Sequence, residues 1–547
     1  MVEDINLSAI EDETIQKQVR QMQNLLEKLW AELRALQAEN QRLRDENNHL
    51  KGEQGKPNIK ANKVKTVEMS KHSSETERKK KRARHQSSKK GKIEINRKEV
   101  VKVRAEELPA DAQFKGYVEV VVQDIVVKTD NILFRKEKYY SPSTGKIYLA
   151  KLPRGYDGEF GPGVKSFGLD MYFEVGASEP KILGFLHRVG LQISKGKFSS
   201  LLIEDQDVFH TESDAVYESG LRSTSYQQTD STVTRVNGQK QNCNIVCNPF
   251  YTVYRTLTHK DRMSVLDVLR NGRPRRFRLN QTALDCLANV RLSQVTRQTL
   301  TACCSELEMD EEKFQEHLAF LLPKLGRQQR KEITDAAAIA AYWAETDWPV
   351  IKNLVCDDAP HYNKLTRRMM LCWVHEGRPY KKLNPIVPLH RKLLDDFLKR
   401  FWDYYRELLL YKEGPSEAEY TRLEAAFDEL FATQTGYEAL DERIAKTRAK
   451  KQSLLLVLEY PELPLHNNAS ELGVRRRVRK RDVSFGPRTE AGKRAWDTFM
   501  TLAETTRKLG VSFYAYLHDR ITGTKAIPPL ADLIAQAAGS FALPAPI

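Results

Sequence analysis

Tyr226-Gln-Gln-Thr-Asp230-Ser-Thr, near the middle of the chain, sets how the rest is read: a β-prone run that carries an acid. The arrangement returns in Leu354-Val-Cys-Asp357-Asp358-Ala, where an apolar run ends in a carboxylate. A third acid, Glu471, closes Leu463-Pro-Leu-His-Asn467-Asn468-Ala-Ser-Glu471 and stands at the head of a basic helical segment. Two aspartates beside strands and one glutamate on a helix are the donors that a two-metal phosphodiester chemistry needs. Hard Mg²⁺ ions take carboxylate oxygens. Two ions roughly 3.5–4 Å apart stabilise both the attacking and the leaving oxygen. Two Mg²⁺ ions are therefore expected at Asp230, Asp357 and Glu471, with Mn²⁺ able to substitute. Consecutive strand residues point to opposite faces, so only one of Asp357 and Asp358 can face the metals; Asp357 is the reading adopted.

Around these acids the expected sheet begins at about residue 222. Thr224 to Thr229, Asn244 to Cys247 and Thr252 to Thr258 are candidate strands. Val236-Asn-Gly-Gln supplies a hairpin turn between the first two. Val350 to Val355 is the next buried strand. Helical blocks over about 273–345 and 388–455 interrupt the domain, and the first of them is expected to lie outside the sheet core.

Outward from the core, the bulk properties narrow the partners. The 547 residues carry a net charge of +15, which favours a polyanion such as nucleic acid. No apolar run approaches the ~20 residues that span a bilayer, so no membrane partner is expected. The N-terminus is acidic and lacks a signal-peptide core. Seven cysteines form no disulfide-like framework. A reducing cytoplasm fits best.

Residues 1–52 hold a heptad repeat. Ile15, Met22, Leu29, Leu36, Leu43 and Leu50 recur every seventh position, with Asn40 and Asn47 among the intervening a positions. Leucine at d with asparagine at a selects a parallel dimer and fixes its register. Residues 53–105 are polar and basic and read as a disordered linker. Within it Lys79, Lys80, Lys81, Arg82 and Arg84 are candidate phosphate contacts. Residues 106–160 read as a small β unit, with a β-branched run from Tyr117 to Val127 and a hairpin turning at Ser141 to Gly145. Residues 161–221 read as helical. Ser194 is available as an N-cap, and the spacing suits either a helix-turn-helix or a plain helical hairpin. The catalytic domain is expected over 222–515, and residues 516–547 as a tail.

Taken in order, several words make the chain specific. They are Asp230-Ser-Thr-Val-Thr-Arg-Val-Asn-Gly, Val355-Cys-Asp357-Asp358-Ala, Leu371-Cys-Trp-Val-His375-Glu-Gly-Arg378 and Leu463-Pro-Leu-His-Asn-Asn-Ala-Ser-Glu471. The chain resembles a DDE transposase of the insertion-sequence sixty-six family over nearly its whole length. The resemblance implies a multidomain α+β protein with an RNase H-like α/β catalytic core. It implies DNA cleavage and strand transfer with Asp230, Asp357 and Glu471 as the acids. It also implies double-stranded DNA partners, the terminal inverted repeats and the target, and small accessory proteins of the same element.

Further residues take roles around this site. Cys372 and His375 share a helix face, but two ligands do not close a zinc site. With Asn467 and Asn468 they are expected to support the core structurally. Where relatives carry a Cys-x-x-Cys-Gly ribbon, this chain has Tyr140-Ser141-Pro-Ser-Thr144-Gly145, so no zinc is expected. Arg475, Arg476, Arg477, Arg479, Lys480 and Arg481 follow the glutamate and are expected to meet DNA backbone. Two other functions compete with a transposase: a domesticated or inactive DNA-binding relative, and a metal-dependent nuclease on the same fold. Three retained acids argue against a pure binder, since carboxylates facing a polyanion would only weaken its grip.

Overall fold

The computed structural model describes residues 10–51 and 93–540, apart from 105, 107, 110, 111 and 157. Most of the basic linker, with Lys79, Lys80, Lys81, Arg82 and Arg84, lies outside the described residues. The heptad segment forms one continuous 38-residue helix, α1 (Glu13–Leu50). The residues opposite its apolar seam dock it onto the protein's own body. Asn24 Nδ2 donates to the Gly436 carbonyl and Asn24 Oδ1 accepts from Glu438 N, at 3.0 and 3.1 Å. The Glu27 carboxylate accepts from Ile386 N and Val387 N at 3.0 and 2.9 Å, where a long helix begins. Met22, Leu29, Leu36, Leu43 and Leu50 stay more than half exposed.

A hairpin follows, β1 (Lys138–Ser141) and β2 (Lys146–Leu149), with Gly145 at φ 63° in its turn. Of the β unit expected over 106–160, this hairpin is the whole regular sheet among the described residues. The run from Tyr117 to Val127 forms no strand, and Val118, Val120 and Val122 face solvent. β-branched composition favours a pleated, half-buried surface, and here no neighbouring strand supplies one.

Four helices come next: α2 (Pro162–Phe173), α3 (Glu179–Arg188), α4 (Lys195–Ile203) and α5 (Asp207–Arg222). Ser194 caps α4 by accepting from Lys197 N. These helices share one core with the sheet rather than standing apart.

The sheet has five strands: β3 (Tyr226–Val236), β4 (Gln239–Cys247), β5 (Thr252–Leu257), and, after the first insertion, β8 (Asn353–Cys356) and β9 (Arg368–Leu371). Its order is β5-β4-β3-β8-β9, with β3, β4 and β5 antiparallel and β8 and β9 parallel to β3. Asn237 and Gly238, at φ 48° and 76°, make the two-residue turn between β3 and β4. Both strands run further than their apolar residues suggest, because Gln241, Asn242 and Asn244 are buried polar positions.

Between β5 and β8 lie α6 (Arg262–Leu269), a two-stranded sheet of β6 (Phe277–Arg278) and β7 (Glu308–Met309), and four helices. The helices are α7 (Gln281–Cys286), α8 (Gln294–Ala302), α9 (Glu311–Leu321) and α10 (Arg327–Trp343). The block was expected outside the sheet core. Its last helix instead buries Ala336 through Tyr342 in that core.

After β9 come α11 (Trp373–Lys382) and the second insertion: α12 (Pro388–Tyr411), α13 (Glu417–Phe431), α14 (Glu438–Arg448), α15 (Lys451–Leu454) and α16 (Leu456–Glu459). It has its own aromatic core, centred on the fully buried Trp373. β8 joins the two cores by simple alternation: Leu354 and Cys356 belong to one, Val355 to the other.

Four helices end the described chain: α17 (Asn468–Ser484), α18 (Glu490–Leu509), α19 (Phe513–Thr522) and α20 (Leu530–Gly539). Instead of the tail expected from 516, α19 and α20 pack into the main core through Tyr516, Leu517, Leu530 and Ile534. α18 seals the edge strand β5. Asp497, Thr501 and Thr505, one turn apart on one face, accept from Thr256 N, Tyr254 N and Thr252 N at 2.6, 3.1 and 3.4 Å. Those outward N–H groups are the ones an exposed edge would offer to another chain.

Candidate active site

β3 borders an antiparallel strand on one side and a parallel strand on the other, and that changeover positions the first two acids. Its parallel register with β8 pairs Gln228 with Val355. Continued two residues further, that register would set Asp230 beside Asp357, which lies just past the end of β8, at the ~4.8 Å spacing of neighbouring strands. β8 ends at Cys356, and Asp357 Oδ1 accepts from Ala359 N to turn the chain away. Asp358 is directed elsewhere: its carboxylate pairs with Lys450 at 2.5 Å.

The third acid is carried by α17, which lies close across β3 and β4. Gln228 Oε1, two residues before Asp230, accepts from Ala469 N at 3.2 Å in the helix's first turn. Gly473 permits the approach. A Cβ there would stand 3.0 Å from Ile245, the cross-strand partner of Asp230. Glu471 lies between these two anchors. Neither Gln228 nor Gly473 stood out in the sequence. A small residue two positions after a candidate acid is the signal that could have found the close helix.

The electrostatics agree with this convergence. Burial pushes the Asp230 carboxyl up to about 7, and the charges of Asp357 and Glu471 add to the rise, against a hydrogen bond from Ser231 N. A cluster of like charges in a partly dry site is relieved by a cation. Oxygen donors of this kind suit Mg²⁺ or Mn²⁺. The donor types therefore suit a hard divalent ion. Glu471 is meanwhile engaged by the protein's own side chains: Arg378 Nη2 donates to its Oε1 at 2.7 Å, and His375 Nε2 lies 3.2 Å from the same oxygen. Among the described residues no three His, Cys, Asp or Glu side chains are drawn together closely enough to hold a metal ion.

The raised Asp230 carboxyl has a measurable consequence. The folded state holds this proton more tightly than the unfolded chain, so stability falls as pH rises from about 4 to about 7. Asparagine carries no such penalty. In chelator and above about pH 8, Asp230→Asn is expected to stabilise the protein by about 2–4 kcal/mol. The gain should vanish near about pH 4. Denaturant titrations at the two pH values read it directly, and equal stabilities at the higher pH would remove the buried-charge argument.

Cys372 is buried, and its N–H donates to the Cys356 carbonyl at 3.0 Å, tying α11 to the end of β8. His375, on the same helix, turns to Glu471. Asn467 is buried at the N-cap of α17, and its carbonyl accepts from the Ser470 hydroxyl at 2.8 Å. Asn468 N donates to His466 Nδ1 at 3.3 Å.

The basic run divides by helix face. Arg475 and Arg479, one turn apart, are exposed. Arg477 and Lys480 are buried, which corrects their expected role at DNA. Arg477 pairs with Asp497 at 3.3 Å and stacks over the Trp496 ring. Lys480 sits 3.0 Å above the Tyr172 ring centre and donates to the Tyr172 carbonyl. Burial lowers its pKa to about 6. Arg476 is held by Glu174 and Glu504, and Arg481 by the Val233 carbonyl and Asp482.

Residues 336–495 match the model of the Transposase IS66 family. The matched stretch includes Asp357, Cys372, His375 and Glu471, while Asp230 lies upstream. An uncharacterized protein of Sinorhizobium fredii (strain NBRC 101917 / NGR234), y4jO, is 31% identical over 328 residues, which is 58% of this chain and 99% of the relative. No solved structure matches the chain.

Proposed function

Because the chain belongs to the IS66 family of transposases, we propose that it cuts and joins DNA ends at Asp230, Asp357 and Glu471 with divalent metal ions. The observation that supports this reading is that the buried Asp230 carboxyl, on the strand where the sheet changes from antiparallel to parallel, is pushed up by burial and then by the charges of Asp357 and Glu471, which come from distant segments. The strand order likewise supports an RNase H-like core.

When bound, Mg²⁺ would supply charge stabilisation to the attacking and leaving oxygens of the phosphodiester. The chain's own part is positioning. Asp230 and Asp357 are fixed by strand backbone, and Glu471 by the Gln228 and Gly473 contacts. Lys450 bridges Asp358 and Glu376, so the second insertion braces the loop after β8. Asp357→Asn is expected to abolish Mg²⁺-dependent cleavage of DNA carrying the element's ends. Asp358→Asn should leave most of it. The reverse ranking would reassign the second acid, and full activity in both would dismiss the site.

DNA lies along the exposed face of α17 in this reading, against Arg475 and Arg479. Replacing both by alanine should weaken binding by a similar factor on every sequence and lower the salt slope by about 2. Thermal stability should stay unchanged. A lost preference for the element's ends, with an unaltered salt slope, would count against backbone contact.

Two protomers bring two DNA ends together through α1. Its body-docking residues, Asn24, Glu27 and Lys28, leave the a/d seam uncovered, and a parallel second copy fits that seam. Leu29→Arg with Leu36→Arg is expected to give a monomer in sedimentation velocity with an unchanged unfolding temperature. A dimer that persists would place the interface elsewhere.

A further inference from the structure

We infer that Arg378 binds a DNA backbone phosphate, exchanging the Glu471 carboxylate for it, so that DNA binding frees Glu471 to take a metal ion. The inference rests on the reading of Asp230, Asp357 and Glu471 as metal ligands.

Arg378 and His375 lie one turn apart on α11, and both reach Glu471 Oε1. Together they occupy an oxygen that a hard cation needs. The Glu471 side chain is 22% exposed, while that of Arg378 is 47% exposed. The guanidinium therefore holds the acid while much of it remains open to water, where a strand could arrive. A planar guanidinium binds carboxylate and phosphate with the same fork geometry. Passing from one anion to the other keeps Arg378 paired throughout. Glu471 passes at the same time from a guanidinium to a metal ion, so neither charge is left uncompensated.

A second observation marks the pocket as poised for rearrangement. Asn467 is fully buried, yet its side-chain oxygen and nitrogen find no hydrogen-bond partner among the described residues. The neighbouring His375 Nδ1 also finds none. Buried polar groups are rarely left so. Without DNA the site is self-neutralised by Arg378, which disfavours loading metal away from its substrate.

The test is Mn²⁺ binding to the full chain, read as free ion by electron paramagnetic resonance, with and without a saturating short duplex. The wild type should bind Mn²⁺ more tightly, about fivefold, once duplex is present. Arg378→Ala should bind Mn²⁺ about fivefold more tightly than wild type without DNA, and gain little from duplex. Lys260→Ala removes a charge that also acts on Asp230 but leaves the Glu471 pair intact, so it should keep the duplex-dependent step. If Arg378→Ala keeps wild-type affinity and the full duplex step while Asp230→Asn loses Mn²⁺, the exchange is wrong and the metal site stands. Lys260→Ala behaving like Arg378→Ala would reduce the effect to net charge and overturn the exchange. Mn²⁺ binding untouched by Asp230→Asn would overturn both the exchange and the site.

Discussion

Glu471→Gln is expected to lower Mg²⁺-dependent strand cleavage by roughly 10³-fold or more, about 4 kcal/mol of barrier, while leaving DNA binding largely in place. Glutamine keeps the length of the side chain and one oxygen, and loses the charge that a hard cation requires. The surroundings allow this to be a chemical lesion rather than a structural one. α17 is anchored at Gln228 and Gly473, and neither contact passes through the Glu471 carboxylate. The lost ion pair with Arg378 is partly exposed, and such pairs contribute about 0–1 kcal/mol. DNA affinity is carried by cations on the backbone, so removing an anion beside it should not weaken binding.

The contrast between cutting and binding separates the competing functions. Cleavage in the wild type that disappears in the variant, with binding retained, supports a metal-carboxylate enzyme. Equal cleavage in both proteins would remove Glu471 from the chemistry. Binding without cleavage in either would favour a DNA-binding relative. Joining of the cut end to a second duplex distinguishes a transposase from a nuclease, because only the former needs a DNA 3′-hydroxyl as a later nucleophile.

The strands that carry Asp230 and lead to Asp357 were legible because short β-prone and apolar runs are local signals, whereas the register that pairs Gln228 with Val355 depends on the sheet and could be read only from the structure. The helix–turn signal at Ser194 was legible for a similar local reason: a hydroxyl three residues before an unpaired N–H. What failed depended on distant partners. Tyr117 to Val127 has strand composition but no strand beside it. α19 and α20 were read as a tail although both are rich in apolar residues, because what they pack against is distant in sequence: Arg520 pairs with Glu212 of α5 at 2.8 Å beside the core they enter. The basic run after Glu471 showed charge without direction. Ser470, Gly473, Arg477 and Lys480 recur at helical spacing, and that stripe turned out to be the buried face. Acids and aromatic rings from α2 and α18 line the opposite wall, which no local pattern reveals.

That buried stripe yields the largest expected loss of stability. Arg477→Ala should destabilise the protein by about 3–5 kcal/mol, because it strands a buried carboxylate. Arg477 is fully buried, donates to Thr256 Oγ1 at 3.1 Å and pairs with Asp497 at 3.3 Å. Its guanidinium lies 4.9 Å from the Trp496 ring centre. Asp497 cannot turn away to find water, since it also accepts from Thr256 N and Oγ1 to seal the edge of β5. Without the arginine its charge is balanced only by those neutral donors, and a cavity of guanidinium size opens beside Met500. Against a typical total stability of about 5–15 kcal/mol, such a loss consumes much of the margin. Thermal unfolding of Arg477→Ala should therefore begin well below that of the wild type. The Arg475→Ala and Arg479→Ala variants, two residues to either side, should match the wild type. Arg477→Ala with wild-type stability and weakened DNA binding would return this residue to the DNA surface and overturn the orientation of α17. Since Glu471 is placed by that same helix, its position at the site would fall with it.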